Sequence, residues 1–427
     1  MPPLVKPRQK FYGAPWSYLG ILRDIAVGRV SGGGEVARFE AELGRLLGLK
    51  HVVAVPQNRV GLYLVLRSLP KERRNVILSP FTIHDVVNMV VAAGCTPVFA
   101  DVEAGSANIS LSSARELLEP ETGAVVVTHL HGIACEISGF RELCDAHGLL
   151  LIEDCAQALG ARRNGVHLGA HGDVGIFSFG MAKNLNSLFG GAIATNDDQL
   201  ATAIRESMTT WPPFKSDKLV RRAGYVGFSD LLLSDVIFPL LTFWVFRHGY
   251  LHNIEAITRR LRGEDDPQLR ANFPESCATR YTDAPARVAL RQLPEIEAQC
   301  EERRAYANLY REGLGDIPSL VQVHPIDNGE SREDAFLAYP VQPPDRDELV
   351  RFMMQNGVDV TASHYRNCAD VEAFAEYRRE CPRAREAARR MMYLPCYPGY
   401  GQKRIERNVA LIRQYFGMQP VTAARSN

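Results

Sequence analysis

Short apolar runs alternate with amphipathic stretches along most of the chain. Leu149 to Ile152 is too short for a buried helix but suits a buried strand, and it ends on the acids Glu153 and Asp154. A second run, Val174 to Phe179, contains Ser178 and is followed within a few residues by Lys183. Further strands are predicted at His51 to Val55, Asn75 to Leu78, around Val98, from Ala124 and at Gly191 to Thr195. Between them lie helical stretches such as Ser112 to Leu118, Gly139 to His147 and Asp197 to Met208. This alternation predicts an α/β fold, a mostly parallel sheet with helices on both faces. Ahead of it, residues 1 to 34 read as an extended arm ending in the turn Ser31-Gly32-Gly33-Gly34. A helix follows, with Val36, Phe39, Leu43, Leu46 and Leu47 on one side. The pattern breaks at Trp211-Pro212-Pro213.

The strand ends carry the candidate chemistry. An acid, a hydroxyl and an amine at neighbouring carboxyl ends of strands stand where open α/β sheets bind ligands. Pyridoxal phosphate catalysis needs such a set: a lysine amine takes the aldehyde as a Schiff base and a carboxylate keeps the pyridine nitrogen protonated. Taken singly, a lysine after a strand is ordinarily a solvated loop residue and a strand-end aspartate a helix cap. The two linked segments together favour the chemical reading.

Glu153-Asp154-Cys155-Ala156-Gln157, and Phe177-Ser178-Phe179 with Lys183-Asn184, resemble the EDxAQ and FSFxxxKN segments of the DegT/DnrJ/EryC1/StrS sugar aminotransferases. The resemblance implies the type I aminotransferase fold: a large domain over residues 1–210, an inserted segment over 211–277, and a smaller α+β domain over 278–427. It implies that Asp154 pairs with the ring nitrogen, Gln157 lies by the ring's 3-hydroxyl, Ser178 binds phosphate and Lys183 carries the cofactor. Weaker matches follow in order: Ala93 to Val102, AVVVTHLHG from Ala124, Arg280-Tyr281-Thr282-Asp283, His364-Tyr365, and Leu394 to Gly399. The family's Gly-rich turn, here 31–34, is expected near the active site.

Three positions depart from the family pattern. Gln57, Asn58 and Arg59 replace a phosphate-binding Ser-Gly-Thr; a guanidinium grips phosphate bidentately, so Arg59 and Asn58 become candidate cofactor ligands. Ile83 stands where the family stacks an aromatic on the pyridine, which makes His84 the nearest flat side chain for that role. Ala278 replaces an asparagine that reaches a partner subunit's phosphate site. By resemblance the activity is transfer of an amino group, from glutamate as the usual donor, to a keto-sugar, nucleotide-linked in most members, or to a keto-cyclitol, by a homodimer. Sugar dehydration is the alternative, although the family's dehydratases carry histidine at the Lys183 position. A scaffold that lost the cofactor is the other alternative.

Composition narrows the picture little. The 427 residues carry 49 basic and 49 acidic side chains, so no nucleic-acid partner is expected. Nine cysteines without a CxxC pair read as reduced thiols rather than disulfides or zinc ligands, and His129 and His131 are too sparse for a metal site. The N-terminus has no apolar core of signal-peptide length, which points to a cytoplasmic protein. Leu231 to Phe246 holds one charge, Asp235, and a proline at 239; shorter than the ~20 residues of a spanning helix, it reads as buried or interfacial. With Arg247, His248, His252, Arg259, Arg260 and Arg262 behind it, the region 231–262 is a candidate dimer contact or peripheral membrane contact.

Overall fold

The computed structural model describes residues 5–11, 15–254, 267–323 and 329–419. Seven strands form the larger sheet: β1 (His51–Val55), β2 (Asn75–Leu78), β3 (Thr96–Phe99), β4 (Thr122–Thr128), β5 (Leu150–Asp154), β6 (Val174–Ser178) and β7 (Gly191–Thr195). Their spatial order is β1-β7-β6-β5-β4-β2-β3. β7 runs antiparallel to both neighbours, and every other pair is parallel. The inner strands are apolar on both faces because helices cover both, as the uninterrupted runs in the sequence require.

The Glu35–Leu47 helix shows how local sequence sets an element. Phe39, Leu43 and Leu47 recur every four residues and are its buried face, and left-handed glycines, Gly34 and Gly48, bound it at either end. Its first turn is capped from far along the chain: the Asp283 carboxylate accepts from Gly33 N at 2.6 Å and Val36 N at 2.9 Å. The Asp283–Gln292 helix thus returns to the large-sheet core before the smaller unit begins.

Residues 1–34 differ from the extended arm expected. Pro15–Ala26 is an α-helix that packs on the Ser216–Leu232 helix, with Ile21 buried in the core beside Leu219 and Ala223. Before it, residues 5–11 form no helix or strand and reach the smaller unit: Arg8 N and Nε donate to Asp359 at 2.9 and 2.8 Å, and Lys6 Nζ donates to Gly399 O at 2.7 Å.

The smaller unit is built on an antiparallel sheet ordered Val321–Gln322, Tyr339–Gln342, Met392–Leu394, Thr361–Ala362. It is joined to the larger unit by chain pairing: Arg366–Asn367 adds to Phe81–Thr82, and Arg332–Glu333 adds to Arg162–Arg163. The first of these pairings carries Tyr365 to the carboxyl edge of the large sheet.

The apolar segment is neither wholly buried nor wholly exposed. A wide π-helical turn, Phe238–Thr242, has Pro239, with no N–H to give, as its second residue and leads into the Phe243–Leu251 helix. Phe238 and Phe243 enter the core of the smaller unit with Leu349 and Met353, while Leu240, Leu241 and Trp244 face outward at 73%, 58% and 53% exposure. Among the described residues no helix is long and apolar enough to cross a membrane. Arg259, Arg260 and Arg262 lie outside the described residues.

Candidate active site

Asp154 is the last residue of β5 and Ser178 the last of β6, so the register of two adjacent parallel strands brings them to one edge. β1 ends beside them and turns through Pro56 and Gln57 into the Asn58–Arg67 helix. Close approach of β7 completes the edge. A side chain at Gly191 would put its Cβ 2.6 Å from Asn58 N, and Gly190, at φ 121°, would meet the Tyr281 ring at 2.4 Å, so both positions require glycine.

A cavity of about 310 Å³ opens at this edge, lined by Asp154, Gln157, Ser178, Lys183, Asn58 and Arg59 together with Ile83, Tyr365 and Arg222. On the other side of Lys183 lies a second cavity of about 360 Å³, reached by Arg8, Lys10, His131, Arg303, His364 and Tyr393. Lys183 and Gln157 line both. A turn closed by Lys183 N donating to Gly180 O at 3.2 Å presents the lysine there, and its Nζ makes no hydrogen bond or ion pair with the described residues.

The electrostatics suit an acid and an amine of unequal duty. Burial drives the Lys183 ammonium below its ordinary range, against the opposing charge of Asp154. Burial raises Asp154, and hydrogen bonds from Ala156 N and Asn58 Nδ2, both at 3.0 Å, work the other way. Gln157 accepts from His131 N at 2.6 Å and donates to the Tyr365 hydroxyl, which fixes its orientation between the cavities.

The candidates read from the sequence are placed unequally. Asp154, Gln157, Ser178 and Lys183 meet. Asn58 is spent on Asp154, and only its Oδ1 is left buried without a partner. Arg59 lines the cavity but is ion-paired with Asp85, and its Nε is buried without a partner. His84 does not line either cavity. Its Nε2 turns to Asp85 Oδ1 at 3.7 Å, and Ile83, which opens the helix beginning at His84, is the side chain on the wall. The Gly-rich turn lines a different cavity, with Glu40, Arg205 and Arg280.

His129 does have a carboxylate beside it: its Nε2 lies 3.0 Å from Glu153, with Cys155 also within ligand reach. These donors are already used. Glu153 accepts from Gly169 N, His171 N and Gly172 N, and His129 Nδ1 accepts from Cys135 N, which leaves its Nε2 as the donor to Glu153. The set braces the strand ends.

Several residues of the two cavities escaped sequence reasoning, Arg8, Lys10 and Tyr393 among them. Tyr365 matched a family segment without a role, Arg303 had no local signal, and Arg222 sat in the inserted segment. His131 had read as structural. It adopts a left-handed backbone, φ 61°, its Nε2 is buried without a partner, and burial first, then His364, push its pKa down to about 3. It therefore faces the second cavity as a neutral ring.

Pyridoxal phosphate fits the first cavity: an amine, a buried acid, and Asn58 and Arg59, each with a buried polar atom left without a partner, line one space of suitable size. The DegT/DnrJ/EryC1/StrS aminotransferase family model matches residues 22–224 and 256–413. The chain is 27% identical over 405 residues to GDP-perosamine synthase of Vibrio cholerae, covering 92% of this chain and 94% of that one. It is 28% identical over 360 residues to dTDP-3-amino-3,4,6-trideoxy-alpha-D-glucose transaminase of Micromonospora megalomicea subsp. nigra, covering 81% and 82%. It is also similar to the crystal structure of a DegT DnrJ EryC1 StrS aminotransferase from Brucella abortus, with a TM-score of 0.71 at 25% identity over 94% of this chain and 95% of that one. Matched over most of its length, the chain belongs to the DegT/DnrJ/EryC1/StrS aminotransferase family, a family of pyridoxal-phosphate-dependent enzymes.

Proposed function

We propose that this enzyme moves an amino group from an amino acid, glutamate being the family's usual donor, onto the carbonyl of a keto-sugar, nucleotide-linked as in the similar enzymes, or of a keto-cyclitol. The observation that carries the reading is the position of Lys183 between two cavities, with Asp154 in one and the basic groups Arg8, Lys10 and Arg303 around the other.

The cofactor, when bound, supplies the aldehyde that takes up the amino group and the electron sink that acidifies the donor's Cα–H. The protein supplies the rest. Asp154 would hold the proton on the ring nitrogen, and its burial would keep that interaction from being screened by water. Lys183 Nζ would be the base and acid that takes the proton from the donor Cα and returns it on the cofactor side. Gln157, locked by His131 N and Tyr365, would meet the cofactor's 3-hydroxyl, and Ser178 and Arg59, which line the same cavity, would hold its phosphate. The cations of the second cavity suit the carboxylates of the donor and the phosphates of a nucleotide-linked acceptor. Purified protein supplied with pyridoxal phosphate should give a visible band that borohydride removes by fixing the cofactor to Lys183. Glutamate alone should shift that band and release about one 2-oxoglutarate per site. Failure to take up the aldehyde would leave the scaffold alternative and end this reading.

We also propose that the protein works in the cytoplasm as a homodimer, with residues 1–210, 211–277 and 278–427 as its cofactor, inserted and small-domain portions. Nine free and buried thiols support a reducing compartment. Leu240, Leu241 and Trp244 turn apolar side chains outward, and a twin subunit is the cover that needs no special substrate. Flotation with anionic liposomes separates this from a peripheral membrane contact. The wild-type protein is expected to stay at the bottom of the gradient and to sediment as a dimer; a floating protein would make the same face a lipid contact.

A further inference from the structure

The Ser216–Leu232 helix, from the inserted segment, sends Arg222 into the cavity that also contains Ser178, Gln57, Asn58 and Arg59. Its Nε donates to Leu188 O at 3.0 Å, and its guanidinium lies over the Phe189 ring with the carbon 5.7 Å from the centroid. These two contacts fix the plane of the fork. Among the described residues its two terminal nitrogens have no hydrogen-bond partner and it has no carboxylate partner. Nearby, Arg59 shares Asp85, so that pair is already close to neutral, while its Nε is buried without an acceptor. Burial first, then the Arg59 charge, hold Arg222 below the ordinary arginine range. Arg59 has Asp85 as its counter-ion, whereas Arg222 has none among the described residues, so the Arg222 charge is left unmatched in a cavity to which the start of the Asn58–Arg67 helix adds its backbone amides.

We propose that Arg222, with Arg59 as its partner, is the phosphate-binding side chain of this enzyme, so that an arginine clamp formed within one chain replaces the neutral Ser-Gly-Thr loop. A dianion fits this arrangement better than a monoanion, because Arg222 and the helix end are the charges left unmatched. The inference rests on the reading of this cavity as the cofactor site. It further assigns the larger share of phosphate affinity to Arg222 over Arg59, since Arg59 must give up part of its bond to Asp85.

The test compares two aldehydes, pyridoxal phosphate and pyridoxal, which differ only in the phosphate. Cofactor-free protein is titrated with each by absorbance. Wild-type protein should prefer the phosphorylated form. Arg222→Met, which keeps the stem on Phe189, should weaken pyridoxal phosphate binding about ten- to hundredfold, the factor for losing one or two charge-assisted hydrogen bonds, and leave pyridoxal binding unchanged. Arg222→Lys should recover part of the loss, and Arg59→Ala should cost less than Arg222→Met. An unchanged preference for the phosphorylated aldehyde in Arg222→Met would overturn the proposal, and so would an equal loss for both aldehydes, which would mark a collapsed cavity rather than a lost phosphate contact. Wild-type protein that binds neither aldehyde would instead overturn the cofactor reading itself, and the clamp with it.

Discussion

Lys183→Ala should abolish transamination and the borohydride-reducible band while the protein remains folded. A single positioned acid or base is worth about 10²- to 10⁴-fold in rate, and Lys183 is both the proton carrier and the point of covalent attachment, so the combined loss should reach several orders of magnitude. Stability should hardly move. Lys183 Nζ makes no bond with the described residues, and the charge that is removed is one that burial already disfavours. Donor turnover and melting temperature, measured on the same preparation, separate the two effects. An active and coloured Lys183→Ala protein would place the chemistry elsewhere.

Asp154→Asn carries the second large effect. Asparagine keeps an oxygen at Oδ1 for Ala156 N and Asn58 Nδ2, so the strand end should hold its shape. What disappears is the negative charge opposite the ring nitrogen, and a loss of about 10²- to 10⁴-fold in the donor half-reaction is expected, with the cofactor still bound. A second readout follows from the sign of the coupling. Burial lowers the Lys183 pKa and the Asp154 charge raises it. Without that charge the amine should become free at lower pH, so the pH profile for aldehyde uptake by cofactor-free protein should move to lower pH in Asp154→Asn. An upward shift, or an unchanged rate, would show that Asp154 is not the carboxylate that governs this site.

Much of the candidate site was legible in the sequence because it is made of strand ends. A buried parallel strand must be an apolar run, and where the run stops the next residues stand at the sheet's edge, so Asp154, Ser178 and the nearby Lys183 were located by local pattern alone. Family resemblance then gave them roles. The limit of local reading shows at His84 and Ile83: which of two adjacent side chains reaches a cavity depends on the turn at which the helix begins, and the sequence does not fix that turn to one residue. It shows again at Pro15–Ala26, where early prolines and a following glycine turn hid a helix that packs on the Ser216–Leu232 helix, with Ile21 in a core shared with Leu219 and Ala223.

The sequence by itself determined the larger sheet's character, the acid and amine at its edge, and the three departures from the usual phosphate and ring contacts. Only the tertiary structure decided what fills those departures. Asn58 could be assigned to Asp154 once glycine at 191 was seen to let β7 approach the start of its helix. Tyr365 reached Gln157 through a strand pairing between segments nearly three hundred residues apart, Arg366–Asn367 with Phe81–Thr82. Arg222 entered the cavity from a helix whose sequence carries no phosphate motif. Periodicity and motif spacing record contacts made along one element, whereas these are contacts between elements, set by how helices and strands pack after each has formed.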